Sequence, residues 1–147
     1  MAEATVESIE IKASPEAVFA VAADLDAYPE WATGLKEIEV LETDDEGRAQ
    51  RARFVVDGMI KEIAYVLLYT YEEPFSMRWI AEPGSPDIKQ LEGSYTFQEA
   101  GDGLTEVVYA LKVEPSFTIP GFLRRQAEKQ LVGTALRGLR KRVEALG

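Results

Sequence analysis

The 147-residue chain is 46% hydrophobic and 29% charged, proportions that suit one globular domain, and a single domain over residues 1–147 is expected. It contains no cysteine and no histidine, which excludes thiolate nucleophiles, redox pairs, iron-sulfur clusters, thiolate zinc sites, a Ser-His-Asp triad and an imidazole base. Its 16 basic and 26 acidic residues leave a net charge of -10, which argues against nucleic acid as the main partner.

Met1-Ala2-Glu3-Ala4 carries an acid where a targeting segment would carry a base. No apolar run approaches the roughly 20 residues of a membrane span, so a cytoplasmic protein is expected. Thr5 to Lys12 reads as a strand by length and β-branching. At Ser14-Pro15 a helix should start, with serine capping free amides and proline in the first turn, where its missing N–H is not needed. The helix runs through Val18, Phe19 and Ala22 and stops before Asp26-Ala27-Tyr28-Pro29, because Pro29 disfavours helical geometry at Tyr28.

Six further strands follow, at about 35–42, 48–57, 59–71, 75–82, 88–98 and 104–113. The acidic run Glu42 to Glu46 ahead of Gly47 reads as a hairpin turn, since the alternating ligands of a calcium loop are missing, and no metal site is expected. Asp57-Gly58 predicts a two-residue turn that sets Val56 against Met59, Arg53 against Glu62, Ala52 against Ile63 and Phe54 against Lys61. Ala52, Phe54, Val56, Ile63, Tyr65, Leu67 and Tyr69 then share the inner face. A loop over Glu99–Gly103 centred on Gly101 sets Tyr95 against Val107 and Gly93 against Tyr109. In the fifth run Phe75, Met77 and Trp79 are taken as inward, leaving Arg78 exposed.

After Pro115 and Pro120 comes a helix of about 26 residues, roughly 39 Å long at 1.5 Å per residue. Phe122, Leu123, Ala127, Leu131, Ala135, Leu136, Leu139, Val143 and Leu146 form its apolar stripe. Gly133 and Gly138 within it call for compensation by close packing or a bend. Seven bases and two acids from Ile119 onward make this end locally +5. Complementarity with the acidic remainder is the simpler account of that charge, and approach to anionic lipid head groups the other. Six consecutive strands form a meander whose apolar face must be covered, and only the terminal helix is long enough to do so.

This order of elements, with Asp24-Leu25-Asp26-Ala27-Tyr28-Pro29-Glu30-Trp31, Leu91-Glu92-Gly93-Ser94-Tyr95-Thr96-Phe97 and Gly103-Leu104-Thr105-Glu106-Val107, resembles the START-related helix-grip superfamily. Within it the chain is similar to the polyketide cyclase/dehydrase and lipid transport group, which includes coenzyme Q-binding proteins. The resemblance covers nearly the whole chain. It implies an α+β helix-grip fold: a seven-stranded curved antiparallel sheet, two short helices after the first strand, and a long C-terminal helix across the concave face. A mostly apolar cavity is expected between sheet and helix.

The registers place Phe54, Tyr65, Leu67, Tyr69, Tyr95, Val107 and Tyr109 on the concave face, joined by Met77, Trp79 and Leu91. Phe122 and Leu131 are the helix's candidates for ligand contact, and Tyr28 and Trp31 are candidates for the cavity rim, with Trp31 alternatively a structural plug. These rings either fill the space under the helix or line a pocket with a few orienting hydroxyls. Gly93 either bends its strand or leaves room for the helix or a ligand.

Binding or carriage of a small hydrophobic molecule (lipid, quinone or polyketide-like) is the leading expectation, without catalytic residues or cofactor. Membrane contact is at most transient, and the protein is a monomer or homodimer. A cyclase or dehydratase is the alternative, with Tyr65 or Tyr109 polarising a carbonyl. Against it, Glu62, Glu92 and Glu106 fall on the outer face, whereas a buried acid with a raised pKa in the cavity would favour it. A protein-protein interaction module would instead present an apolar patch on the convex face.

Overall fold

The computed structural model describes residues 4–58 and 61–147. In chain order these form β1 (Thr5–Ile11), α1 (Pro15–Ala23), a 3-10 helix (Leu25–Glu30), β2 (Leu35–Thr43), β3 (Ala49–Asp57), β4 (Glu62–Glu72), β5 (Ser76–Ala81), β6 (Ile88–Gly101), β7 (Leu104–Pro115) and α2 (Gly121–Leu146). The strands make one antiparallel sheet in the order β1-β7-β6-β5-β4-β3-β2. β2 to β7 are therefore a meander, and β1 closes the far edge beside β7. This is the helix-grip arrangement expected from the sequence. No helix among the described residues is long and apolar enough to cross a membrane.

The entry to α1 follows local chemistry. Ser14 Oγ accepts the Ala17 N–H at 3.2 Å and Pro15 occupies the first turn, while Val18, Phe19, Ala22 and Ala23 are buried. The expected break at Asp26–Pro29 is instead a 3-10 helix that contains Pro29. The Tyr28 hydroxyl donates to the Ala22 carbonyl and ties this turn back to α1. The acidic run is a hairpin turn in which Asp44 Oδ1 accepts the N–H groups of Glu46 and Arg48 at 3.0 and 2.9 Å.

Both predicted hairpin registers are corrected, each by an even number of residues. Phe54 pairs with Tyr65, Ala52 with Leu67 and Arg53 with Val66. The Gly58 N–H donates to the Lys61 carbonyl at 3.0 Å, so Gly58 faces Lys61 and the reversal is not at Asp57-Gly58. Val56 pairs with Ile63 rather than with the expected Met59, which lies outside the described residues. The predicted register set Lys61 opposite Phe54 on the concave side; the observed one leaves Lys61 exposed, 2.7 Å from Asp87, and stacks the Phe54 and Tyr65 rings at 5.7 Å. In the last hairpin Tyr95 pairs with Tyr109 and Gly93 with Leu111. Its strands run to Gly101 and from Leu104, so the reversal is Asp102-Gly103, with Gly101 and Gly103 at φ +134° and +72°. Even shifts keep every side chain on its assigned face, because side chains alternate with period two.

Phe75 is a genuine misplacement. It precedes β5 in a turn closed by its own N–H on the Glu72 carbonyl, so strand alternation does not govern it, and it is 66% exposed. Met77 and Trp79 are buried and Arg78 is exposed, as read.

α2 packs chiefly on β1, with contributions from α1 and β7. Thr5 Oγ1 donates to Glu128 Oε1 at 3.1 Å, and the Lys12 N–H donates to Glu144 Oε2 at 3.0 Å. Seven strand steps cover about 23 Å and sixteen helix steps about 24 Å. The edge strand and the helix thus run side by side, pinned at both ends.

Neither helix glycine compensates by tight packing. A Cβ at Gly138 would meet Trp31 at an ordinary 3.5 Å, and one at Gly133 would meet only the flexible end of Arg137 at 3.0 Å. Gly133→Ala and Gly138→Ala should therefore each stabilise the fold by about 0.5–1 kcal/mol through lower chain entropy. Chemical denaturation of the two variants measures this, and a loss of stability in either would reveal a packing requirement.

Candidate functional site

Period-two alternation turns one face of β3 to β7 toward α2, and between them lies a cavity of about 640 Å³. The sheet wall contains Phe54 and Val56 from β3, Ile63, Tyr65, Leu67 and Tyr69 from β4, and Trp79 from β5. Leu91 and Tyr95 from β6 and Tyr109, Leu111 and Val113 from β7 complete it. The roof is α2, through Leu123, Ala127, Leu131, Thr134, Ala135 and Gly138. Tyr28 and Trp31 close one side, and loop residues including Thr33, Gly34, Phe117 and Ile119 also border the chamber.

Of the residues expected at the site, Phe54, Tyr65, Leu67, Tyr69, Trp79, Leu91, Tyr95, Tyr109 and Leu131 line the chamber, as do Tyr28 and Trp31. Met77, Val107 and Phe122 do not. Met77 and Val107 are fully buried in the strand rows of Tyr71 and Phe97, against which Phe19 of α1 packs edge-on at 6.1 and 5.9 Å. α1 covers that end of the sheet and leaves no space there.

Phe122 fails for a helical reason. At about 100° per residue, the chamber-lining residues fall on one arc of α2 centred near Leu131 and Thr134. The buried residues Glu128, Val132, Leu136, Leu139 and Val143 fall on a second arc. Phe122 lies outside both, on the solvent face with Lys129, Arg137 and Arg140, and is 66% exposed. The expected single stripe is thus two faces with different tasks. The 3.6-residue pattern carries a signal for both, but Glu128 on the buried arc breaks the apolar run.

Trp79 is the centre of the wall, with ring centroids of Tyr69, Tyr95 and Tyr109 at 5.8, 5.2 and 5.7 Å; Tyr95 and Tyr109 stand 4.7 Å apart. Gly93 makes room for this indole. A Cβ there would lie 2.5 Å from Trp79 ring atoms, so the glycine serves a side chain of the wall rather than the helix or a simple bend. Trp31 meets Tyr28 edge-on at 5.0 Å, and its indole N–H is buried without a partner among the described residues.

The tyrosines divide by task. Tyr28 and Tyr71 donate to the carbonyls of Ala22 and Ala49 and hold the fold. The hydroxyls of Tyr65, Tyr69, Tyr95 and Tyr109 have no hydrogen-bond partner among the described residues, yet are not sealed off as the Trp31 N–H is. Burial pushes all six phenols above their ordinary value, and neighbouring phenols add to the effect at Tyr28, Tyr69, Tyr95 and Tyr109. They are neutral donors rather than bases.

Sequence reasoning missed one buried acid at this site. Glu128 lines the chamber at 8% exposure, and its oxygens accept from Thr5 at 3.1 Å and from Arg124 Nε at 3.2 Å. Thr5 is 123 residues away, a partnership invisible to local pattern. On the convex face Leu68 pairs with Ile80, both exposed, amid Arg51, Arg78 and Glu92.

A model of the family described as polyketide cyclase/dehydrase and lipid transport matches residues 11–140. A START superfamily protein from Mycobacterium smegmatis superposes with a TM-score of 0.88 at 21% identity, covering 98% of this chain and 99% of that one. A Thermus thermophilus structure gives 0.84 at 25% identity, covering 99% of each chain. A Streptomyces aromatase/cyclase gives 0.84 at 13% identity, covering 98% of this chain and 94% of its own, which speaks for the fold alone. No curated protein matches the sequence.

Two outcomes follow from the wall. Gly93→Ala should destabilise the protein by about 1–3 kcal/mol, because the indole it displaces is held by three other rings; the near-ultraviolet circular dichroism of Trp79 should change with it, and an unaltered variant would show that the indole has room to move. In an alkaline titration the native protein should develop no phenolate absorbance at the free-phenol value of about 10. Above that pH the unfolded chain loses protons that the folded one retains, so stability falls as pH rises and ionisation should accompany unfolding. Phenolate formation in the intact fold near pH 10 would contradict the burial of these rings.

Proposed function

The chain belongs to the polyketide cyclase/dehydrase and lipid transport family, and from that premise we propose that its chamber binds or carries one small hydrophobic molecule: a lipid, a quinone or a polyketide-like aromatic. One observation carries this reading. A cavity of about 640 Å³ with a largely apolar wall holds four phenol hydroxyls that have no partner among the described residues. Apolar area supplies affinity in such a site, and a few polar groups orient the guest. Phe54, Leu67, Trp79, Leu91 and Leu131 provide contact area; Tyr65, Tyr69, Tyr95 and Tyr109 provide donors; Tyr28 and Trp31 shape the rim.

A cyclase or dehydratase is the second reading, and the presence of Glu128 in the chamber favours it. Tyr65 or Tyr109 would then polarise a carbonyl and the acid would move the proton. Glu128 is however engaged at both oxygens, so proton transfer would require it to leave Thr5 or Arg124. Binding without reaction needs no such release.

Native mass spectrometry of the purified protein, followed by organic extraction, tests the proposal. The expected result is a discrete, solvent-released adduct on the order of a few hundred daltons, matching a pocket of this size class, that is lost in Tyr65→Trp and Tyr109→Trp. A clean apo mass, together with no thermal stabilisation by a crude lipid extract, would overturn it.

A further inference from the structure

We infer that the chamber takes an uncharged molecule bearing hydrogen-bond acceptor oxygens, and discriminates against carboxylate-headed chains. The inference rests on the proposal that the chamber is a ligand site, and it is carried by how charge and donors are distributed over the wall.

Apart from the phenols, the ionisable side chains of the lining are Asp57, Arg124 and Glu128. Asp57 is exposed, and Arg124 and Glu128 neutralise each other one helical turn apart at 3.2 Å. The lining therefore contains, among the described residues, no cation without a carboxylate partner. An anion moved from water into this space would lose its hydration without a charge to replace it, which is strongly unfavourable. The net charge of -10 adds to the opposition.

Donors are abundant by contrast. Tyr65 and Tyr69 on β4, Tyr95 on β6 and Tyr109 on β7 bring four hydroxyls to one wall, none spent on the fold. Burial keeps these groups protonated, so they meet a carbonyl or ether oxygen as donors. A buried hydroxyl left without a partner is unfavourable, and an acceptor-bearing guest removes that deficit where a hydrocarbon does not. Trp79, Tyr95 and Tyr109 touch one another at interplanar angles of 58°, 69° and 54°, with the indole set directly over Gly93, and so supply apolar contact area without a flat face.

Three probes of one skeleton separate the terms: anthracene, anthraquinone and anthraquinone-2-carboxylate, titrated against the protein by calorimetry or tryptophan fluorescence. Anthraquinone should bind about tenfold more tightly than anthracene, the equivalent of one or two neutral hydrogen bonds, and also more tightly than the carboxylate. In the double variant Tyr95→Phe/Tyr109→Phe the advantage over anthracene should shrink. Its thermal stability should hold, since the lost hydroxyls bond nothing in the fold. Equal affinity for anthracene and anthraquinone, or preference for the carboxylate, would overturn the inference and leave the ligand-site reading intact. Failure of all three to bind would also overturn it, and the native mass then decides separately whether the chamber holds any guest.

Discussion

One helix has to cover seven strands. Strands about 4.8 Å apart make such a sheet about 29 Å wide, whereas a helix with its side chains is about 10–12 Å across. α2 cannot pack on every strand at once, and it resolves the conflict by committing to one flank. Glu128, Val132, Leu136, Leu139 and Val143 face the edge formed by β1, with Thr5 and Lys12 bonded to its two glutamates. The apolar faces of β3 to β6 remain under a roof that does not touch them closely. The chamber is the consequence of that mismatch in width, and closing it would require α1 or a second helix to extend over β4, which the chain length between Glu30 and Leu35 does not allow.

The wall's chemistry follows from where the hydroxyls can go. Tyr28 and Tyr71 reach backbone carbonyls near α1 and at the start of β3, so they serve the fold. The other four stand over the middle of the sheet, where every neighbouring backbone group is already engaged in strand pairing. A phenol there has only the cavity to turn to. The same crowding of rings that buries them keeps them neutral, and Gly93 is the local concession that lets the indole share the space.

Side-chain parity was the most legible property of the sequence and pairing partners the least. Phe54, Tyr65, Tyr95 and Tyr109 were assigned the correct face although their hairpins were displaced by four and two residues. Parity depends on burial, which composition records at every second position; register depends on turn geometry, which Asp57-Gly58 and Gly101 indicate only loosely. Phe75 and Phe122 failed for separate reasons. Phe75 sits in the turn before β5, outside the alternating part of the strand, and Phe122, although inside α2, lies on the solvent side of a helix whose apolar residues form two arcs rather than one stripe. Glu128 was missed because its burial depends on Thr5, at the opposite end of the chain, and on Arg124, whose charge reads locally as part of a solvated basic face.

Glu128 also bears on how far this chamber stands from catalysis. The carboxylate that touches the cavity is the same one that fastens β1 to the N-terminal half of α2, and its second oxygen holds Arg124. Releasing it to move a proton would loosen the roof at the point where Leu123, Ala127 and Leu131 cover the chamber. Roof integrity and acid-base chemistry therefore compete for one side chain. As long as Thr5 and Arg124 keep both oxygens engaged, the chamber presents neutral donors and a closed ion pair, conditions that suit the proposed binding more than acid-base chemistry.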